Sequence, residues 1–317
     1  MYPFFKIAAS LAIKLYCKKS VAHFQGNRIA NVPTIIASNH PNSFFDAIII
    51  AIHYPEPIYF LARGDAFKNP VVAKLLHALH LIPIYRLSEG KENLNKNVDT
   101  FKTCLTLLQK NKTILIFSEG ICINEWNLRP LKKGTARLAL MALHEGLFQV
   151  QIQPTNINYS SFNNNPKEVE INFNAAFTIN NIATAKEAVF YNSFNSLLKK
   201  NMLQNMLIKE DVSDIRLFNT PSKAFTNALK IVVAFPAFVG FIINYWIYFL
   251  LKKIALKKTQ NTVFYDSILF GMLLLVYPFL VLILSVVIAF IYNIPLSILV
   301  FFAMPMSAWC YKIYKSC

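Results

Sequence analysis

The sequence predicts an α/β domain, a mostly parallel sheet flanked by helices, followed by a C-terminal helical membrane region. Three observations carry that expectation. Between about residues 21 and 208, short apolar runs rich in β-formers alternate with helical patterns of about 10–15 residues, the signature of strand–helix–strand units. No Asp, Glu, Lys or Arg occurs at 267–311, a run of 45 residues, and none at 231–251, a run of 21. A helix needs about 20 apolar residues to cross the roughly 30 Å core of a bilayer. Finally, charged residues make up 15% of the 317 and hydrophobic ones 55%. That composition excludes a purely soluble protein, a disordered chain, a disulfide-rich scaffold and a collagen-like fibre.

The elements follow in order. Residues 1–20 read as an interfacial amphipathic helix, with Phe5, Ala8, Ala9 and Ile13 on one stripe and Lys6 and Lys14 able to snorkel. Those lysines sit inside the apolar stretch, unlike the charges of a cleaved signal. A core helix of the following domain is the other reading. The α/β domain takes 21–208. Strands are expected at 33–38, 57–62, 81–85, 113–117, 149–154 and 169–173, and helices near 44–52, 66–79, 94–109, 134–144 and 185–207. A polar linker, 209–227, leads to the membrane region, 228–317.

Within that region 267–291 and 295–311 read as spanning, around a turn at Tyr292–Pro295. Lysines flank the apolar ends except that turn, which the positive-inside rule places outside the cell or compartment, with the α/β domain on the cytoplasmic face. The stretch 228–251 is basic at both ends and carries Pro236 and Gly240, which can break a helix. It reads as re-entrant, with a third crossing as the alternative.

The formal charge of +16 implies attraction to polyanions, and beside the apolar runs lipid headgroups fit best. The basic residues form no tract or module of a nucleic-acid binder, so no nucleic-acid partner is expected. Five scattered cysteines read as reduced thiols.

Candidate chemistry gathers where strands end. Asn39-His40-Pro41-Asn42-Ser43-Phe44-Phe45-Asp46 falls where a strand gives way to a helix, the place where active sites of open α/β sheets collect. A His is the usual general base at neutral pH, and a nearby carboxylate such as Asp46 can fix its tautomer; the other reading of the lone pair is a satisfied histidine capping a turn. On one continuous helix, six steps of about 100° would hold the two apart. They meet only if His40 lies in the loop and Asp46 in the first turns, with Asn42 or Ser43 as the cap. A second group is Phe117-Ser118-Glu119-Gly120, followed by Arg129, Lys132 and Lys133 before a helix, which suits a phosphate. The bland reading is a solvated basic turn. Arg86 ends another strand, where an arginine is commonly a surface partner. Cys122 reads as a bystander, since nothing local lowers its pKa. His77 and His80 have no third ligand nearby, so no metal is expected.

Taken together, these residues resemble the glycerolipid acyltransferase family, which includes lysophosphatidate and glycerol-3-phosphate acyltransferases. Asn39, His40 and Asp46 match its first block in type, with five residues between the pair, one more than usual. Arg86 matches the second block. Phe117, Glu119 and Gly120 match the third, with Ser118 in place of proline, and Ile152 and Pro154 match the fourth loosely. Where relatives often carry Thr-Arg after the third-block glycine, this chain has Ile121 and Cys122. The resemblance covers roughly residues 21–175.

It implies a membrane-bound O-acyltransferase with His40 and Asp46 catalytic. Arg86, Glu119, Gly120, Arg129, Lys132 and Lys133 would bind substrate. The donor would be an acyl thioester of coenzyme A or acyl-carrier protein, a co-substrate, with no other cofactor. The acceptor would be 1-acyl-glycerol-3-phosphate, or alternatively glycerol-3-phosphate or another lysolipid. A membrane transporter or scaffold is the rival of another class. It would leave the clustered His, Asp, Glu and Arg unexplained, and the apolar runs hold no charge to mark an ion pathway.

Overall fold

In chain order the strands are β1 (Cys17–Phe24), β2 (Thr34–Ser38), β3 (Ile58–Arg63), β4 (Leu81–Ile84), β5 (Thr113–Phe117), β6 (Gln151–Tyr159), β7 (Lys167–Phe173) and β8 (Phe177–Thr178). The computed structural model describes residues 1–26, 29–85, 96–182, 186–210, 214–219, 223–260 and 262–316. One sheet runs β1-β7-β6-β2-β5-β3-β4, with β8 beside β6. Its pairs are parallel except β6 with β7 and β6 with β8. β2 (TIIAS) is buried throughout, as an interior parallel strand covered on both faces must be.

The helices are α1 (Tyr2–Tyr16), α2 (Phe44–His53), α3 (Pro70–Ala78), α4 (Lys96–Gln109), α5 (Lys133–His144) and α6 (Glu187–Met202), then the tail helices α7 (Lys223–Lys258), α8 (Tyr265–Ile291) and α9 (Ile294–Ser316). One face of the sheet packs on α4, α5 and α6 through Ile35, Leu108, Ile114, Leu138 and Phe194. The other packs on α1, α2 and α8 through Ile36, Phe45, Ile49, Tyr159 and Phe270. Burying each such side chain stabilises by about 1.5–3 kcal/mol, before conformational entropy is set against it.

Several expectations need correction. β1 lies where only the end of the N-terminal helix and a lysine pair were expected. As an edge strand with exposed lysine it lacks the alternating apolar pattern that marks a half-buried strand. β6 runs five residues past its expected end, through the polar run Thr155–Asn158, because the asparagine side chains are satisfied by backbone. Asn156 donates to Met202 O and Gln204 O, and Asn158 to Asn205 O. α1 has a buried face and an exposed one. Tyr2, Ala9, Ile13 and Tyr16 face the core, while Phe4, Ile7 and Leu11 stand exposed on the opposite side.

The helix α7 begins inside the expected linker and continues through Pro236 and Gly240 without a break. Gly240 is needed for contact: a Cβ there would run into the backbone of Ser307 on α9. Small residues let apolar helices approach in this way. By length and composition, α7, α8 and α9 could each cross a membrane.

The tail is fastened to the domain by charge. Asp266, in the first turn of α8, pairs with Lys167 of β7 at 2.8 Å, and both side chains are out of water. Tyr16 of α1 donates to the same carboxylate at 2.5 Å, and Lys167 also donates to Phe162 O at 3.0 Å. A buried ammonium stripped of its counter-charge is costly, so Asp266→Asn is expected to destabilise the fold by roughly 3–5 kcal/mol. Adding Lys167→Met should recover most of the loss in thermal unfolding. If the double variant is as unstable as the single, the pair is not what holds the tail.

Candidate active site

Register brings the site together. Ser38 lies opposite Phe117 in the β2–β5 pair, so the residues that follow these two strands emerge side by side. His40 follows β2 in a loop, and Asp46 lies in the first turn of α2. That is the arrangement in which the two can meet. His40 Nδ1 and Asp46 Oδ2 are 2.8 Å apart. The His40 side chain is 15% exposed and the Asp46 side chain not at all. The imidazole stacks on Phe117, centroids 3.8 Å apart and planes within 10°.

Asp46 is held at both oxygens. Oδ2 also accepts the Asn42 amide at 2.8 Å, and Oδ1 accepts the Tyr159 hydroxyl at 2.7 Å. Burial raises the Asp46 pKa, opposed by the bonds from His40, Asn42 and Tyr159. With Nδ1 committed to the carboxylate, Nε2 is the nitrogen left for a substrate. Among the described residues no hydrogen bond engages it.

The loop between His40 and Asp46 turns at Ser43, whose φ of 54° and ψ of −143° are rare for a non-glycine residue. Such a conformation costs of order 1–3 kcal/mol and persists only when its surroundings impose it. Here they do. The Ser43 amide donates to Cys122 Sγ at 2.9 Å, and Asn124 donates to Pro41 O at 2.7 Å. Asn42 is fixed from the tail: its Nδ2 donates to Asp266 at 2.6 Å, and its carbonyl accepts from Ser267 Oγ at 2.8 Å. Ser43 is the cap position of α2 but makes no side-chain cap. The Asp46 carboxylate reaches back to the chain instead, as the acidic half of a capping box does.

Glu119 takes a different place from the substrate ligand expected. Oε2 accepts the His40 amide at 2.8 Å and Oε1 the Arg129 amide at 2.9 Å, and the residue is 4% exposed. It clamps two loops. Gly120 has φ +70°, and a Cβ there would press Lys132 Cγ at 2.9 Å, so glycine is needed on both counts. The Arg129 guanidinium pairs with Glu125 at 3.1 Å. Lys132 is exposed at the cap of α5, its amide on Ser118 O at 2.7 Å. Lys133 turns toward α6, its Nζ 5.9 Å from the centre of the Tyr191 ring. Arg86 lies outside the described residues.

The structure thus gathers His40, Asp46, Glu119, Gly120, Arg129 and Lys132 around one pair of loops and directs Lys133 elsewhere. Sequence reasoning missed Tyr159, Asp266 and Ser267, which lie 113 or more residues from the groups they hold between Asn42 and Asp46. Nothing local announces them, though Asp266 stands out as the last charge before the 45-residue apolar run. Cys122, judged a bystander, accepts a backbone amide in the strained turn.

Residues 20–158 match the sequence profile of the acyltransferase family. This segment is an acyltransferase-family domain. The relatives agree in kind. A chloroplastic 1-acyl-sn-glycerol-3-phosphate acyltransferase of Brassica napus is 25% identical over 134 residues, 42% of this chain and 37% of that protein. A 1-acyl-sn-glycerol-3-phosphate acyltransferase of Bacillus subtilis (strain 168) is 26% identical over 139 residues, 43% of this chain and 61% of that one. The chain therefore spans less than two thirds of the length of the curated relatives it matches. Among solved structures, the 1-acyl-sn-glycerophosphate acyltransferase of Thermotoga maritima aligns with a TM-score of 0.46 at 14% identity, over 66% of this chain and 81% of that one. The tail helices lie outside the acyltransferase domain.

Burial raises the pKa of Glu119, against the opposing pull of the Arg129 and His40 amides. The folded chain then keeps a proton there that the unfolded chain has released, so this group's contribution to stability falls as pH rises from the ordinary carboxylate range. Glu119→Gln removes the titration. Between about pH 4 and about pH 7 the unfolding midpoint of the variant, relative to wild type, is expected to climb. A gap that closes the other way would mean that the two amides outweigh burial.

Proposed function

We propose that the chain is a membrane-bound O-acyltransferase that moves a fatty acyl group from an acyl thioester to a glycerophospholipid acceptor, 1-acyl-glycerol-3-phosphate first among the candidates. The observation that carries this reading is the His40–Asp46 pair, 2.8 Å apart at the end of β2, with the second imidazole nitrogen making no hydrogen bond among the described residues. In the proposed reaction Nε2 takes the acceptor hydroxyl proton as that oxygen attacks the thioester carbonyl. The C–S bond then breaks, and the imidazolium returns the proton to the leaving thiolate. Asp46 holds the ring's tautomer and stabilises the imidazolium. Tyr159 and the Asn42 amide share the carboxylate's charge.

Glu119 is assigned to positioning, because both its oxygens hold backbone amides. For the acceptor phosphate we assign Arg129 and Lys132, with Arg86 and Gly120 completing the site. Arg129 and Lys132 flank the Gly120 turn and are cationic and partly or fully exposed. The donor is assigned as an acyl thioester of coenzyme A or acyl-carrier protein, with no further cofactor.

For the membrane topology we propose that α7 enters or lies along the leaflet beside the domain without crossing. The amides of Leu217 and Phe218 still bond Glu168, and five residues later α7 begins, within about 18 Å. At its far end, Asp266 pairs with the neighbouring residue, Lys167. Both tethers of this segment are on β7, which supports the re-entrant reading of α7. The α8–α9 hairpin also returns, through Lys315 Nζ on Asn165 O at 2.9 Å, as two crossings require. The domain is assigned to the lysine-rich, cytoplasmic side by the positive-inside rule.

His40→Ala is expected to lower kcat for acyl transfer by about 10²–10⁴-fold with insertion and fold retained, measured with labelled acyl thioester and a panel of lysophosphatidate, glycerol-3-phosphate and other lysolipids. Full activity in the purified variant would sink the catalytic assignment. For topology, single cysteines at Gln260 and Asn293 are to be probed with an impermeant maleimide on sealed cells. Labelling at Asn293→Cys alone is expected. External labelling of Gln260→Cys would make α7 a third crossing.

A further inference from the structure

A groove of about 1050 Å³ runs between α1 and the three tail helices, apart from the site described above. Its walls are apolar, with Leu11 of α1, Phe249 of α7, Leu273 of α8 and Phe301 and Phe302 of α9 among them. Four lysines also line it: Lys252 and Lys253 late in α7, Lys312 and Lys315 late in α9. No Asp or Glu is among its lining residues. Sites for drug-sized molecules occupy about 300–1,000 Å³, so this space is large for a small metabolite.

We propose that this groove binds one anionic glycerophospholipid, its head against Lys252, Lys253, Lys312 and Lys315 and its chains along the apolar walls. Two features select that occupant. Four ammonium groups with no lining carboxylate repel one another unless an anion enters, and a phosphate diester supplies it. Below them the lining is mostly apolar and carries no further charged side chain, with Asn244 and Tyr277 among its few polar groups, which suits hydrocarbon chains below a polar head. The lysines end two helices on the domain side of the tail, where a lipid of the adjacent leaflet would present its headgroup. Lys315 is already held at this rim, donating to Asn165 O at 2.9 Å.

The lipid is not a reactant. None of His40, Asp46, Glu119, Gly120, Arg129 or Lys132 lines the groove. Tyr16 and Phe270, which do, pack edge-on against Phe45 at 5.7 and 5.0 Å and wall it off from the catalytic loop. The inference rests on the membrane-anchored reading but not on the acyl-transfer reading.

The test uses the full chain, delipidated in mild detergent and returned to nanodiscs of phosphatidylcholine with or without phosphatidylglycerol. Wild type is expected to retain about one phosphatidylglycerol per chain on re-extraction, read by mass spectrometry, and to melt higher in its presence. Lys252→Ala with Lys253→Ala should weaken retention of phosphatidylglycerol about tenfold or more and leave phosphatidylcholine unaffected. Lys253→Gln alone, at an exposed position, gives a smaller loss in the same direction if the double variant fails to fold. His40→Ala should retain the lipid like wild type, which separates this proposal from the catalytic one. Equal retention of the two lipids, indifference to the lysines, or mole-for-mole displacement by palmitoyl-coenzyme A would each overturn it.

Discussion

The Asp266 carboxylate is the point on which the rest of the architecture depends. It sits at the start of α8 and joins four parts of the chain: Lys167 of β7, Tyr16 of α1, Asn42 of the catalytic loop and its own helix. Each partner would be costly to bury alone, Lys167 most of all, and the carboxylate would be costly without them. The arrangement is all-or-none. It makes the membrane tail part of the domain's interior, since the loop that carries His40 is shaped on one side by β5 and its following turn and on the other by α8.

That double hold explains how His40 and Asp46 meet across a five-residue spacer. One residue more between His40 and Asp46 would rotate the carboxylate away on a regular helix. The chain instead turns at Ser43, in a backbone conformation few residues adopt, and Cys122, Asn124 and Ser267 hold the flanking atoms. The strain is local. The result is a short His–Asp contact with the carboxylate saturated by further donors, so that its preferred direction is fixed before any substrate arrives.

Much of this was legible from the sequence. The central strands announce themselves, because an interior parallel strand must be apolar on both faces, and β2 and β5 are. His40 and Asp46 could be paired by asking where a loop must replace a helix. The functions of Glu119 and Lys133 could not be read in the same way, since residue type and position say nothing of which direction a side chain takes. Glu119 spends both oxygens on amides, and Lys133 faces Tyr191. β1 escaped because an edge strand tolerates lysine. Tyr159 and Asp266 escaped because their partners are brought near only by the fold, across 113 and 224 residues. α7 stays continuous through Pro236, which apolar helices packed on neighbours tolerate.

The Lys167–Asp266 pair also sets an order of events during synthesis. When the ribosome has made the α/β domain, Lys167 exists but its counter-ion does not; nearly a hundred codons separate them. Until α8 emerges, the nascent domain carries an uncompensated ammonium where its interior should close, and Asn42 lacks one of its supports. Domains generally fold as units from the N-terminus. Here the tail comes last in chain order, so the support that Asp266 gives to Lys167 and to the Asn42 side chain can be supplied only once α8 has been made.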